Sequence, residues 1–343
     1  MRGVVFLGDR QLELQDFPDP SPGPRDVVIE IKASGMCGSD LHQYRASPEN
    51  RRSPVPVIAG HEPCGVVVEV GSAVSEKEAR IGQRVMDHHY EGCGVCKHCR
   101  GGWAQMCLEG TTVFGATGNG AHAPYMQVPV STLVELPESL SFETGAAIAC
   151  GTGTAYGALR RLDLRGDETI AIFGQGPVGL SATQLAVSMG ARVIALDVSD
   201  ARCALAESFG ADEVINAAAI DPVKAIRELT HGEGAHKTLD CSSHPDARAA
   251  AVRATRAWGT ACYVGEQGQV TLDVSPDLLR RQITLVGSWT FSNMGQADCA
   301  EYIADRGIQV DRLFTDRYTS LTQAEDAYRL FDTQTTGKGV FLL

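Results

Sequence analysis

The sequence has no run of about 18 apolar residues, so nothing in it reads as a membrane span. The N-terminus lacks the apolar region of a secretory signal, because Asp9 interrupts it too early. Positive charge is in deficit: 30 Lys and Arg stand against 42 Asp and Glu, a formal net charge of −12. A net anion is not drawn to nucleic acid or to an anionic membrane surface, which argues against both as partners. No internal repeat, low-complexity tract or long linker is present. The 43% apolar and 21% charged residues fit a folded chain and not a disordered one. At 343 residues the chain exceeds one ordinary core, so two domains are expected.

What the sequence does have is cysteine, 11 in all, an odd number. Without a secretory signal a disulfide framework is not expected. Metal ligation, catalysis and buried apolar thiols remain. Four of them form Cys93-x2-Cys96-x2-Cys99-x7-Cys107. Four thiolates on a short Gly-containing loop can enclose one tetrahedral zinc with no open position, which is a structural site. A ferredoxin-like iron–sulfur run has a shorter last spacing, and the acidic chain disfavours a nucleic-acid zinc ribbon. His98, inside the loop, reads as a solvated side chain.

The first 145 or so residues are β-rich. Leu12 and Leu14 alternate with polar neighbours, and Val27–Ile31, Gly65–Val70 and Arg84–Met86 read as strands of a small barrel-like domain. The pattern then switches. Short apolar runs at Thr169–Phe173, Arg192–Leu196, Thr238–Asp240, Ala261–Val264 and Ile283–Val286 alternate with helical spacing. Such alternation predicts a parallel sheet with helices on both faces. From about residue 293 the alternation ends.

Gly174-Gln175-Gly176-Pro177-Val178-Gly179 fits G-x-G-x-x-G, directly after a predicted strand and opening a helix. Gly174 permits the tight turn, Gly176 the approach of a pyrophosphate, and Gly179 close helix–strand packing. The helix N-terminus then faces the phosphates. Asp197 ends the next strand, 18 residues after Gly179, where a carboxylate can bind both ribose hydroxyls and repel a 2′-phosphate. That favours NAD over NADP, and Arg202 weakens the preference slightly.

Three further segments carry metal-ligand residue types: Gly35-Met36-Cys37-Gly38-Ser39-Asp40-Leu41-His42, Gly60-His61-Glu62 and Cys150-Gly151-Thr152-Gly153. Two thiolates and an imidazole are a known ligand set for a catalytic zinc, but spacing alone does not assemble them. With the four-Cys lobe and the dinucleotide fingerprint, they make the chain resemble, end to end, a zinc-dependent alcohol dehydrogenase of the medium-chain dehydrogenase/reductase superfamily.

The resemblance implies an α/β chain with two domains. One is a GroES-like β-barrel catalytic domain, residues 1–147 and 293–343. The other is a Rossmann doubly wound parallel-sheet coenzyme domain, residues 148–292, with the active site in the cleft between them. It implies two zinc ions per chain and NAD. Cys37, His61 and Cys150 are then the catalytic zinc ligands, with Glu62 standing behind the metal and able to bind it transiently. Ser39 takes the proton of the alcohol and His42 passes it to solvent. Asp40 is a buried carboxylate paired with Lys338. Hydride passes to the nicotinamide while zinc acts as a Lewis acid.

By the same resemblance His89 and Glu266 approach the substrate. Both are polar, which suggests a polyol or another polar secondary alcohol. A simple aliphatic or aromatic alcohol is the alternative, because polyol enzymes commonly replace the Cys150 segment. A non-catalytic nucleotide-binding protein of the same fold is the remaining rival. A small-molecule alcohol or carbonyl substrate and a homodimer or homotetramer follow from the resemblance. Six ligand thiols need a reducing compartment, so the cytoplasm is expected.

Overall fold

The computed structural model describes residues 1–50 and 52–343. The chain forms two compact units. The first comprises Met1–Gly153, Phe291–Gln334 and Lys338–Leu343, and the second comprises Thr154–Thr290 and Thr335–Gly337.

The first unit is built on a seven-stranded sheet. Its path runs Phe314–Tyr318, Lys338–Leu342, Asp26–Gly35, Pro63–Val70, Arg84–Asp87 and Leu133–Glu135, and Tyr125–Pro129 also pairs with Asp26–Gly35. All neighbours are antiparallel except the pair Phe314–Tyr318 and Lys338–Leu342. Val27, Ile29 and Ile31 alternate along the central strand and bury one face against Val67, Val85, Met126 and Val128. Chain-terminal elements close a second cluster: Phe6, Met36, Tyr44, Tyr328, Phe331 and Phe341 pack together.

His122 is fully buried beside this second cluster. Its Nδ1 lies 2.7 Å from Ser34 Oγ and its Nε2 2.7 Å from the Tyr328 hydroxyl. Burial pushes its pKa from 6.5 down to about 4. The unfolded chain therefore takes up this proton first, and the stabilisation from neutral His122 is present above pH 6.5 and lost as the pH falls towards 4. The full loss is about 3 kcal/mol. Urea midpoints measured between pH 7 and 4.5 should fall more steeply for the native sequence than for His122→Phe. Parallel slopes would rule this contribution out.

The second unit holds a six-stranded parallel sheet. In chain order its strands are Thr169–Phe173, Arg192–Asp197, Glu213–Asn216, Ala235–Asp240, Thr255–Tyr263 and Thr284–Gly287. Their spatial order is third, second, first, fourth, fifth, sixth. This is the doubly wound order of dinucleotide-binding sheets. Every residue of Thr169–Phe173 is buried, as a central parallel strand covered on both faces requires. Helix Pro222–Leu229 shows how local chemistry sets boundaries here. Asp221 accepts from Val223 N and Lys224 N, and proline takes the first helical position.

Candidate functional site

Two groups of side chains in the first unit converge as metal ligands would. In each, one ligand atom per residue lies within 4.8 Å of all the others. The first group is Cys93, Cys96, Cys99 and Cys107. Backbone amides of Cys93 and Cys96 point at Cys107 and Cys93 sulfurs, both at 3.3 Å. A Cβ on Gly92 would stand 2.6 Å from Cys99 Sγ, so glycine is needed for the loop to close. Hydrogen bonds from backbone amides, that of Cys99 foremost, bring the Cys96 thiol down to about 6, favouring the thiolate that a metal requires. His98 is not among the converging groups.

The second group is Cys37, His61, Glu62 and Cys150, all buried. Cys37 follows the central strand Asp26–Gly35 and precedes the short helix Asp40–Arg45. His61 follows Gly60, which has φ +87° and would place a Cβ 2.5 Å from the His122 ring. No other residue type fits at that point. Cys150 lies in a wide π-type turn, Ile148–Thr152, between helices Phe142–Ala147 and Gly153–Arg161. Such turns often re-aim a side chain at a functional site.

The two thiols are 3.9 Å apart. Hydrogen bonding from Cys150 draws the Cys37 thiol well below its ordinary pKa. Burial opposes protonation of His61, but the Asp40 carboxylate and Cys37 outweigh it and raise its pKa. His61 Nδ1 is 2.7 Å from Asp40 Oδ1, so a neutral His61 presents Nε2 to the other ligand atoms.

Lys338 Nζ sits 2.7 Å from Glu62 Oε1 and 2.6 Å from Oε2, and also donates to Met36 O at 3.0 Å. Burial pushes the Glu62 carboxyl up to about 8, against the attraction of Lys338. Both of its oxygens are thus held by the one ammonium. A buried carboxyl beside two thiols and an imidazole, all converging within 4.8 Å, is a donor set that fits a bound zinc.

The expected pairing of Asp40 with Lys338 is corrected by this geometry. Lys338 belongs to Glu62. Asp40 is already engaged by His61, by Cys37 N at 2.9 Å and by the Tyr328 hydroxyl at 3.2 Å.

Ser39 Oγ lies 3.1 Å from His61 Nε2 and 3.3 Å from Cys37 Sγ, against the ligand atoms themselves. His42 is one turn further on the same short helix. Its bond to Ser39 is backbone only, so no side-chain link joins the two. His89 is buried, with Nδ1 3.1 Å from Ala149 O, the carbonyl preceding Cys150. Its ring meets that of His61 edge-on at 5.0 Å. Glu266 is exposed in the second unit.

Sequence reasoning missed His122 and Tyr328. Neither lies in a motif, and the two are 206 residues apart. It left Cys64, Cys203, Cys241, Cys262 and Cys299 without partners, and all five thiols are raised, in each case chiefly by burial.

In the second unit the glycine-rich turn joins strand Thr169–Phe173 to helix Pro177–Ser188. Gly174 has φ +87°. A Cβ on Gly179 would fall 1.8 Å from Gly174 O, which explains the third glycine by packing alone. A Cβ on Gly176 would meet nothing nearer than an Arg202 nitrogen at 3.9 Å. The protein gives no packing reason for a glycine there, so the open space fits a ligand that approaches the backbone. Asp197 Oδ2 accepts from Gln175 N at 2.6 Å and Oδ1 from Ser199 N at 2.9 Å. Arg202 Nε donates to Thr336 O at 3.4 Å. Pro177 and Val178 open the helix, whose preceding residue Gly176 offers no side-chain cap.

A dinucleotide-type sheet in one unit and two metal-ligand groups in the other define a metal-dependent dehydrogenase. The comparisons agree. An alcohol dehydrogenase GroES-like domain matches residues 23–138, and a zinc-binding dehydrogenase domain matches residues 177–305. The uncharacterised zinc-type alcohol dehydrogenase-like protein YphC of Escherichia coli is 38% identical over 99% of this chain and 98% of its own. L-idonate 5-dehydrogenase of Vitis vinifera is 32% identical, covering 97% and 91%. The structure of alcohol dehydrogenase TADH from Thermus sp. ATN1 superposes with a TM-score of 0.91 at 28% identity, covering 100% and 99%. The chain belongs to the zinc-dependent medium-chain alcohol dehydrogenases, with a GroES-like domain and a Rossmann-type domain. It is an oxidoreductase. No helix among the described residues is long and apolar enough to cross a membrane.

Proposed function

We propose that this chain oxidises a polar secondary alcohol or polyol with NAD. The catalytic zinc ligands are Cys37, His61 and Cys150, with Glu62 beside them, and Cys93, Cys96, Cys99 and Cys107 hold a structural zinc. The observation that carries this reading is the convergence of two thiols, an imidazole and a carboxylate within 4.8 Å. When bound, zinc supplies Lewis-acid polarisation of the substrate oxygen, and the nicotinamide accepts the hydride.

The rest is the work of the chain. Cys37 and Cys150 offset the metal's charge. Asp40 holds His61 with its Nε2 free. Ser39, whose hydroxyl touches both Cys37 and His61, is placed to take the substrate's proton, and His42 is the residue that passes it on. The turn at Gly174, Gly176, Pro177, Val178 and Gly179 carries the pyrophosphate. Asp197 takes the ribose hydroxyls and disfavours a 2′-phosphate, while Arg202 tempers that preference.

Two features support a polar substrate. His89 gives its Nδ1 proton to Ala149 O, so its Nε2 is an acceptor for a substrate hydroxyl near His61. A relative named for L-idonate, a polyhydroxy acid, aligns over nearly the whole chain. Glu266 is a second polar candidate. Retention of the Cys150-Gly151-Thr152-Gly153 segment instead favours the simple-alcohol reading. A reduction screen with NAD and NADP decides between them, run over plain alcohols, polyols, amino alcohols and hydroxy acids. Polyols or hydroxy acids should lead, with NAD preferred. Plain alcohols outperforming every polyol would end the polar-substrate reading.

The chain also assembles, in this reading, as a homodimer or homotetramer. Strand Thr284–Gly287 is a free sheet edge with Leu285 40% exposed, and Trp258 and Leu279 on the adjoining segments are 77% and 62% exposed. Light scattering should give a multiple of the 36.5 kDa chain mass. A monomer at micromolar concentration contradicts it. The six proposed ligand thiols favour a reducing compartment, the cytoplasm, which cell fractionation checks.

A further inference from the structure

Four side chains behind His61 form a continuous buried series. Ser34, His122, Tyr328 and Asp40 are each fully buried. Ser34 Oγ is 2.7 Å from His122 Nδ1, and His122 Nε2 is 2.7 Å from Tyr328 Oη. Tyr328 Oη is 3.2 Å from Asp40 Oδ2, and Asp40 Oδ1 is 2.7 Å from His61 Nδ1.

The chemistry of the groups fixes which atom donates at each link. A carboxylate only accepts, so Asp40 takes protons from the Cys37 amide, from Tyr328 and from His61. Tyrosine has one proton, and it is given to Asp40. The Tyr328 oxygen must then accept from His122, so His122 carries its proton on Nε2. Its bare Nδ1 accepts from the Ser34 hydroxyl. Every donor has an acceptor, and all bonds point towards Asp40. No other arrangement leaves all of these buried atoms satisfied.

We propose that Ser34, His122 and Tyr328 are positioning residues for the catalytic metal. They form a one-directional hydrogen-bond series that holds Asp40 and thereby fixes His61 as the Nδ1–H tautomer. The rings have little freedom to depart from this arrangement. Tyr328 packs edge-on against Phe6 at 4.8 Å, and His122 packs edge-on against Phe341 at 4.8 Å. Outer-shell partners of this kind orient ligands and strengthen metal retention. The inference rests on the catalytic-zinc reading given above.

The test follows zinc release from the full-length, zinc-loaded enzyme into excess dipicolinate. Two phases are expected, and the phase missing from a Cys37→Ala/His61→Ala variant belongs to the site at His61. Tyr328→Phe keeps the ring in the core and removes only the hydroxyl. It should speed that phase about tenfold or more and leave the four-Cys phase unchanged. His122→Phe should have a smaller effect. The double variant should be no worse than Tyr328→Phe alone, because the two act in series. Unchanged release in Tyr328→Phe overturns the proposal. Equal acceleration of both phases also overturns it, since that is general loosening. A wild-type enzyme with no phase removable by the Cys37/His61 substitutions overturns the catalytic-zinc reading itself.

Discussion

Replacing Cys37 and His61 together by alanine should remove one of the two zinc ions per chain and lower kcat/KM by at least about a thousandfold. The metal loss follows from the ligand count: one thiol and one carboxyl cannot hold zinc in a site built from four converging groups. The rate loss follows from chemistry. Without the metal the substrate oxygen loses its Lewis acid, and the buried ammonium of Lys338 is already committed to Glu62. A thousandfold corresponds to about 4 kcal/mol of lost transition-state stabilisation, modest for a Lewis acid. Metal analysis and steady-state kinetics on the same preparation check the two halves. Cys96→Ser is the control, because it should lose the other zinc while retaining far more activity per folded molecule. Activity that persists in the double alanine variant would remove the catalytic assignment.

Lys338→Met should destabilise the first unit by about 4 kcal/mol. The side chains of Lys338 and Glu62 are 1% and 0% exposed, so water cannot replace the lost partner. Burial opposes the charge on Lys338, yet Glu62 and the Cys37 thiol outweigh it and hold its pKa up. Removing the ammonium takes the partner of both oxygens away from a buried carboxyl. Methionine keeps the length of the stem, which limits any cavity. The melting temperature should drop by roughly 10 °C. Adding Glu62→Gln should recover more than half of that, because the pair is then replaced by neutral groups. A Lys338→Met enzyme within about 1 kcal/mol of the native one would show that the pair is not held as a buried ion pair.

The four-Cys lobe and the glycine-rich turn were legible because their signals are local. Fifteen residues carry the whole of the first, and a strand, a turn and a helix start carry the second. Cys37, His61 and Cys150 come from three segments, so only resemblance assembled them before the geometry did. Pairings across the fold were harder. Asp40 was expected to meet Lys338, but Cys37 N, His61 and Tyr328 saturate that carboxylate, and the ammonium goes to Glu62, 276 residues away. His122 and Tyr328 had no sequence signal, since a histidine and a tyrosine among apolar residues read as ordinary core. The π-type turn at Cys150 was equally silent. All five of its residues are buried, and none of them marks such a turn in the sequence.

The first unit is discontinuous, and that has a consequence for biosynthesis. The ribosome delivers all four thiols of the lobe, and all four groups around His61, within the first 150 residues. Tyr328 and Lys338, which brace Asp40 and neutralise Glu62, come from the last sixteen. The Lys338–Leu342 strand also completes the sheet beside Asp26–Gly35. A nascent chain therefore carries the candidate metal-binding thiols long before it has the counter-charge and the buried donor that brace the second group. Contacts of this sequence separation form late and slowly. Stable zinc retention at His61 is thus expected only once the chain is complete, whereas the four-Cys lobe, being local, can form while the chain is still emerging.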